Sequence, residues 1–458
     1  MQLSRFVSLS ALALGVAGAL ALGNAQASGF QLKENSVKAT GRADAGSAAA
    51  EGDTSVVVNN PAAMTTFEEN AVQVDLHAID LNFSFDGGGA DAFGRPLQGG
   101  DGGDPGDIAA VPAMSAVFPL GDTGVTVGAM VSAPFGLATD YEAGWVGRYH
   151  ALESDVRIID LTLSAALDIN EHVSIGGGFI FERAEVTLSN AIDFGSSVCR
   201  PSAATGGLPP PFCLPLGGNV YGPQQNDGAV EVTGDDTGIG FIAGIYLKPT
   251  ERLSIGLSHR AEIDHELEGE ADFTVPPNVA PILAVGVPGQ FVDTGVTADL
   301  TTPSITTLSA VYQATDRLAL MADASRTGWE SLRTIDIDFD NTQPTSSEEY
   351  LWSNSMFLSV GGEFAVSDRL TLRAGLAYDE TPVSDERRTP RLPDDDRKWF
   401  SLGATWAMND ALEFSAAYTR IEVGDEPEVD TVSSSGSRLV GTFEGNANIF
   451  GVAAQYTF

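Results

Sequence analysis

From Ala71 to the end of the chain, apolar and polar side chains alternate with a period of two. Ile159, Leu161, Leu163, Ala165 and Leu167 fall on one face, and Asp160, Thr162, Ser164 and Asp168 on the other. The pattern returns as Leu253, Ile255 and Leu257 against Ser254, Gly256 and Ser258, and as Met356, Leu358, Val360 and Phe364 against Ser359, Gly361 and Glu363. It appears again as Phe400, Leu402, Ala404 and Trp406 against Ser401, Gly403 and Thr405. Such alternation predicts β-strands with two unlike faces. By itself it does not distinguish an apolar face turned inward, as in a soluble sandwich, from one turned towards lipid.

The connections make that distinction. Short links at Pro119–Thr123, Asn170–His172, Pro249–Arg252, Thr315–Arg317, Ser367–Arg369 and Asn409–Ala411 take turns with long ones at about 86–108, 134–153, 191–228, 268–294, 341–347, 381–395 and 423–441. Six tight turns and seven longer loops separate fourteen strands, with every long loop on one side. Short turns on one side, long loops on the other and an even strand count predict an all-β fold, a 14-stranded antiparallel transmembrane β-barrel over residues 71–458. Closure of the sheet satisfies every backbone group in lipid, which an open sheet cannot do. The last strand agrees, with Phe450, Val452, Ala454, Tyr456 and Phe458 on one face and Gly451, Ala453, Gln455 and Thr457 on the other.

The beginning of the chain is different. Arg5, the apolar run Val7 to Leu22 and the small-x-small triplet Ala25-Gln26-Ala27 predict a signal peptide over residues 1–27 and a mature chain starting at Ser28. After the first 22 residues no run approaches the roughly 18 apolar residues of a spanning helix. Ser28 to Ala62 is rich in small residues and cannot bury a core of its own. It therefore needs walls supplied by the rest of the chain, and residues 28–70 are expected to form a hatch inside the barrel.

Composition narrows the function. A net charge of −38 over 458 residues excludes a general phosphate-binding surface and with it nucleic acid. The acidity gathers in Gly/Pro-rich stretches such as Asp86 to Asp107 and Glu422 to Asp430. These read as solvated loops, with divalent cations bridging loops or lipid headgroups as the alternative. Cys199 and Cys213 lie in one Pro/Gly-rich segment without a His or acidic cluster, so an oxidising compartment favours a disulfide between them over a metal pair. The histidines His77, His150, His172, His259 and His265 show no metal-ligand spacing, and most of them read as loop or interface residues. No Gly-x-Ser-x-Gly elbow is present. Neither an enzyme nor a cofactor is expected.

Several stretches carry a resemblance. Ser28-Gly29-Phe30-Gln31-Leu32, Gly41-Arg42-Ala43, Gly46 and Asn60-Pro61-Ala62, followed by Pro134 to Tyr141 and Trp145-Val146-Gly147-Arg148-Tyr149, resemble the long-chain fatty acid transporter family of Gram-negative outer membranes (FadL-like). The resemblance covers essentially the whole mature chain. It implies an outer-membrane channel in which loops catch a hydrophobic ligand, a hatch-gated lumen pocket holds it, and a kinked third strand releases it sideways without energy coupling. The expected partners are a long-chain fatty acid or other hydrophobic molecule, outer-membrane lipid, and the barrel assembly machinery during biogenesis, with the chain acting as a monomer. Aromatic hydrocarbons, carried by other members of the family, are the alternative substrate, and a general porin is disfavoured by the hatch.

On this reading the third strand runs Val125 to Ala133, with Gly128 and Pro134 as the residues that kink it. Phe30, Phe135, Leu137 and Trp145 are candidates for the ligand tail. For a carboxylate headgroup, alternation points Arg373 into the lumen, opposite Leu370, Leu372, Ala374 and Leu376. Arg183 resembles a lumen arginine of the family, although its phase follows Val173, Ile175, Phe179 and Phe181 outward. Arg42 and the turn Asn60-Pro61-Ala62 would fasten the hatch, since Asn bonds backbone groups and Pro fixes φ.

Overall fold

The computed structural model describes residues 29–106, 108–199, 221–424 and 427–458. The signal peptide and Cys213 lie outside these residues, so the expected cleavage and disulfide do too.

Fourteen antiparallel strands form a closed barrel. They are β1 (Ala71–Ala90), β2 (Ile108–Pro119), β3 (Val125–Asp140), β4 (Glu153–Asn170), β5 (Val173–Asp193), β6 (Asp227–Thr250) and β7 (Leu253–Arg260 and Ile263–Thr274). Then follow β8 (Thr294–Thr302 and Ile305–Thr315), β9 (Leu318–Thr327 and Thr334–Phe339), β10 (Ser346–Glu349 and Ser355–Ser367) and β11 (Leu370–Asp379). The last are β12 (Arg397–Ala407), β13 (Leu412–Val423 and Glu428–Val432) and β14 (Arg438–Thr457). Closure runs from Ala71 opposite Thr457 to Ala90 opposite Arg438, so neither terminal strand leaves a free edge.

The apolar face is the outer one. Leu161, Leu163, Phe450 and Val452 are 42–58% exposed while Asp160, Thr162 and Ser164 are buried inside, the arrangement that lipid selects and a sandwich core forbids. The six tight turns stand where expected, but the strands reach further into the long loops than the alternation indicated. β3 includes Pro134–Asp140, and the loop placed at 423–441 is largely strand, with β13 ending at Val432 and β14 starting at Arg438. Alternation fails where both faces of a strand share one environment, buried on both sides from Ser132 to Leu137 of β3 and loop-covered or wet at the upper ends of β13 and β14.

Inside the barrel lies the N-terminal segment. It holds α1 (Val37–Thr40), α2 (Val56–Asn59) and a 3-10 turn (Pro61–Thr66). Helices this short do not hold themselves together, and here side chains of the wall replace their missing partners. Ser36 caps α1 by accepting from Lys38 and Ala39 N–H. The Val37 N–H reaches Asp75 of β1 at 2.8 Å, Gly46 N–H reaches Asp323 of β9, and Ala48 N–H reaches Ser309 of β8 at 3.0 Å.

Glycines of the wall are sockets for this segment. A Cβ on Gly375 would stand 2.1 Å from the Arg42 carbonyl oxygen, and one on Gly256 would stand 1.9 Å from that of Ala48. No side chain fits at either position.

Candidate ligand pocket and lateral gap

Asn60 organises the far end of the hatch. Its Nδ2 donates to Ala48 O at 2.8 Å and Ile245 O at 3.1 Å, and its Oδ1 accepts from Ala62 N–H at 3.2 Å. One side chain thus caps the 3-10 turn, in which Pro61 stands first, and ties it to β6. Ala62 packs fully buried against Ala63, Met64 and Met130. Arg42 is the second fastener. It donates from Nε to Ala45 O at 2.7 Å and from Nη1 to Glu363 at 2.9 Å, with Asp53 at 3.4 Å from Nη2. Burial raises the Asp53 carboxyl, but Arg42 and Lys38 outweigh it and hold the group below its usual range.

Arg373 does face the lumen, but it is already engaged. Its Nε donates to the same Glu363 oxygen at 2.8 Å, and Nη1 reaches Thr405. It completes an Arg42–Glu363–Arg373 bridge between hatch and wall and is not free for a ligand headgroup. Arg183 corrects a second expectation. Half exposed, it pairs with Glu185 at 2.8 Å and Asp235 at 3.1 Å on the outer face, as its phase requires. Trp145 lines neither of the two cavities described below. It stacks on Tyr141 at 4.0 Å between centroids, meets Phe85 edge-on, and donates to Ala151 O, holding the extracellular loop together.

The third strand bends at a different residue from one of those expected. Gly128 lies in an unbroken ladder between Val117 and Ser164, and the space beside it is filled by Met64 and Val57 of the hatch. The irregularity is a bulge between Ser132 and Phe135, which takes in Pro134. Beyond it β3 no longer pairs with β2. Their ladder stops at Met114 opposite Val131, while β2 continues along β1 from Ala71↔Val117 to Asp80↔Ile108. Pro112, which has no N–H to give a ladder, sits in this run. The wall therefore has a gap between β2 and β3 at the bend.

Residues of the hatch fill the inner side of that gap. Gln31 pairs with Phe135 in an antiparallel bridge. Leu32 N–H donates to Pro134 O at 2.7 Å, and Gly136 N–H donates to Phe30 O at 2.8 Å. Phe135 is buried against Phe30 and Trp329, at 5.8 and 5.9 Å between centroids, and the Arg260 guanidinium lies 5.6 Å from its ring. Arg260 in turn bonds Asp160 at 2.6 Å and Glu182, and Glu182 accepts from His265 at 3.0 Å and Thr302 at 2.6 Å. His265 and His77 are thus buried lumen residues rather than loop or interface ones. His77 sits 3.0 Å from the Thr40 hydroxyl of the hatch.

Two cavities meet at Phe30–Lys33. The outer one is apolar, lined by Phe30, Leu137, Val156, Val186, Leu188, Leu267, Leu300, Leu332, Ile335, Trp352 and Leu392, and carries a single charged side chain, Arg391. Phe30 closes it within a cage formed with Trp329 at 4.8 Å and Trp352 at 5.8 Å. Arg391 is buried, and among the described residues its hydrogen-bond acceptors are all neutral: Glu153 O, Ser154 Oγ, Ser189 O and Asn190 Oδ1 at 3.1–3.3 Å. The inner cavity is polar, lined by Gln31, Lys33, Asp44, Asp160, Arg260 and Asp323 together with Ser132 and Pro134 at the bend. Burial pushes the Glu34 and Asp44 carboxyls of the hatch up to about 7, against the pull of Lys33.

Sequence reasoning missed Arg391, Trp329, Trp352 and Pro112. Arg391 stands in Arg388-Thr389-Pro390-Arg391-Leu392-Pro393, where paired prolines and a leucine amid acidic residues signal a loop that folds back into the barrel.

Comparison with known proteins agrees with this architecture. A family model described as outer membrane protein transport protein (OMPP1/FadL/TodX) matches residues 18–458. The chain is 28% identical over 467 residues to outer membrane protein P1 of Haemophilus influenzae, covering 97% of this chain and 98% of that one. It is 27% identical over 456 residues to the long-chain fatty acid transport protein of Escherichia coli, at 97% and 98% coverage. The crystal structure of a Pseudomonas aeruginosa FadL homologue superposes with a TM-score of 0.85 at 29% identity, over 94% of this chain and 99% of that one. The Pseudomonas putida toluene transporter TodX shares the fold at a TM-score of 0.64 and 15% identity, with 94% and 99% covered.

Proposed function

Because the chain belongs to the outer membrane transport family that includes FadL and TodX, and is a Gram-negative outer-membrane barrel carrying hydrophobic molecules, we propose that its substrates are long-chain fatty acids. The observation that carries this reading is Arg391. A buried guanidinium whose partners among the described residues are all neutral, at the edge of an otherwise apolar cavity, supplies the charge-assisted hydrogen bonds a carboxylate needs. Each methylene placed beside Leu188, Leu267 or Ile335 adds about 0.8 kcal/mol.

Passage is passive. The ligand enters the apolar cavity from the loops, with its tail against Phe30 and Leu137. Displacement of Phe30–Leu32 from β3 joins the two cavities, and the gap between β2 and β3 at Pro134 lets the ligand leave sideways into the bilayer. The hatch is the gate, hinged on the fixed points Arg42 and Asn60. Lateral exit is supported by the one-sided pairing of β2 beyond Met114.

The aromatic cage of Phe30, Trp329 and Trp352 favours a second reading, uptake of aromatic hydrocarbons, whose π-faces such edges accept. Mass spectrometry of molecules that co-purify with the protein separates the two. Recovery of fatty acids supports the first, and monoaromatic compounds without fatty acids overturn it.

A further inference from the structure

The outer face of the barrel carries a feature that substrate passage does not use. Val360, Leu376, Phe400 and Arg420 form one register row across β10 to β13. The row below it begins with Gly362 and Ala374, two small residues side by side, before Leu402 and Tyr418. Ala374, small among Val360, Leu376, Leu402 and Tyr418, leaves a furrow in the lipid-facing surface. The resulting open groove is about 650 Å³, within the roughly 300–1,000 Å³ of ligand-sized clefts. Its walls are apolar except at the Arg420 end.

Arg420 stands just above the apolar part of β13, where Phe414, Ala416 and Tyr418 face lipid. The strand runs from a tight turn to a long loop, so Arg420 lies on the extracellular side, at the level of lipid headgroups. Its guanidinium donates to Asn446 Oδ1 at 2.6 Å and Asn448 Oδ1 at 3.1 Å, both neutral. Tyr418 OH also donates to Asn448 Oδ1, at 3.0 Å, and Lys398 is exposed on the neighbouring strand, opposite Glu422. Asp80 lies beyond Asn448, 3.5 Å from its Nδ2. A cation held by amides, beside hydroxyl and carboxylate groups, matches a phosphate attached to a sugar. The apolar groove beneath it matches an acyl chain.

We propose that the lipid face of β9 to β13 is a binding site for a phosphorylated glycolipid of the outer leaflet, with a phosphate on Arg420 and an acyl chain in the furrow over Ala374. The site is built into the wall and is independent of the hatch and pocket. Its chemistry is that of a structural lipid, held while substrate passes on the other side of the sheet.

The test uses the full-length barrel in a mild detergent, titrated by native mass spectrometry with a bisphosphorylated diglucosamine lipid, with phosphatidylglycerol and phosphatidylcholine as comparisons. Wild-type protein is expected to bind the glycolipid about tenfold or more tightly than either phospholipid, the scale of one or two charged hydrogen bonds. Arg420→Gln and Ala374→Leu should each abolish that preference, the first by removing the phosphate partner and the second by filling the furrow. Both residues face lipid, and unchanged heat-modifiable gel mobility would show that both variants fold. Equal binding of all three lipids, or a preference kept by either folded variant, would overturn the site.

Discussion

Gln31 lies against Phe135 in an antiparallel bridge, at the point where β3 has parted from β2. A strand edge that leaves its neighbour must find other partners for its N–H and C=O groups, and here the hatch provides them through Phe30 and Leu32. The same three residues separate an apolar cavity from a polar one. A single short segment is therefore both the wall between two chambers and the seal of the gap. Breaking its few backbone hydrogen bonds requires far less energy than unfolding any part of the barrel.

Arg391→Gln should weaken fatty acid binding by roughly ten- to a hundredfold, the worth of a charge-assisted hydrogen bond at about 1.5–3 kcal/mol. The methyl ester of the same acid should bind the variant and the wild type alike. Fluorescence displacement with both ligands measures this; equal losses for acid and ester would remove Arg391 from the headgroup site.

Gly375→Val should dislodge the hatch. The new side chain would begin 2.1 Å from the Arg42 carbonyl, and Arg42 cannot yield without breaking its bond to Glu363. Single-channel recordings should show a rise in ionic conductance relative to the wild type. Ala374→Val, one position along the strand on the lipid face, should leave conductance unchanged.

Asn60→Ala should cost about 1–3 kcal/mol of local stability, since it removes an N-cap and leaves two buried carbonyls short of a donor. The expected outcome is cleavage of the hatch by added protease in otherwise intact barrels. Protection equal to the wild type would contradict the role of Asn60.

The barrel was legible because lipid imposes one rule on every strand within the membrane: apolar out, small or polar in. Leu161, Leu257, Leu402 and Val452 obey it. The rule lapses outside the bilayer, which is why Glu428–Val432 reads as loop and is strand, and at the bend of β3, where the residues from Ser132 to Leu137 are buried on both faces. Residues 29–70 read as a piece that needs walls, and of the residues expected to fasten it Arg42 bonds Glu363 and Asn60 bonds Ile245 of the wall. The pocket was less legible. Phe30 and Leu137 line it, but Arg373 is spent on Glu363 and Arg183 lies outside the lumen, while Arg391 is brought in by a folded loop that periodicity does not describe. Gly128 shows the same limit: a glycine in a strand signals either a bend or a close neighbour, and here it is the hatch that comes close.

Acidity should tighten the hatch. Glu34 and Asp44 have ordinary values of 4.5 and 3.8 and rise to about 7 when buried. The folded hatch thus binds more protons than the released one between about pH 4 and 7. Its stability is greatest at the acid end and is lost as pH rises through about 7. Hydrogen exchange of residues 33–50, corrected for intrinsic rates, should show more protection at pH 5.5 than at pH 8. The difference should vanish in Glu34→Gln/Asp44→Asn.

The measurement that reaches the gate most directly is a reversible lock on the opening pair. Backbone-paired residues lie within the roughly 4.4–6.8 Å Cα separation a disulfide needs, so Gln31→Cys/Phe135→Cys should cross-link the hatch to the bend of β3. Oleate uptake by cells carrying the oxidised double variant should fall to that of cells lacking the protein. It should return on reduction to the level of the two single variants treated alike. Undiminished uptake through the fully cross-linked barrel would contradict passage through the gap between β2 and β3.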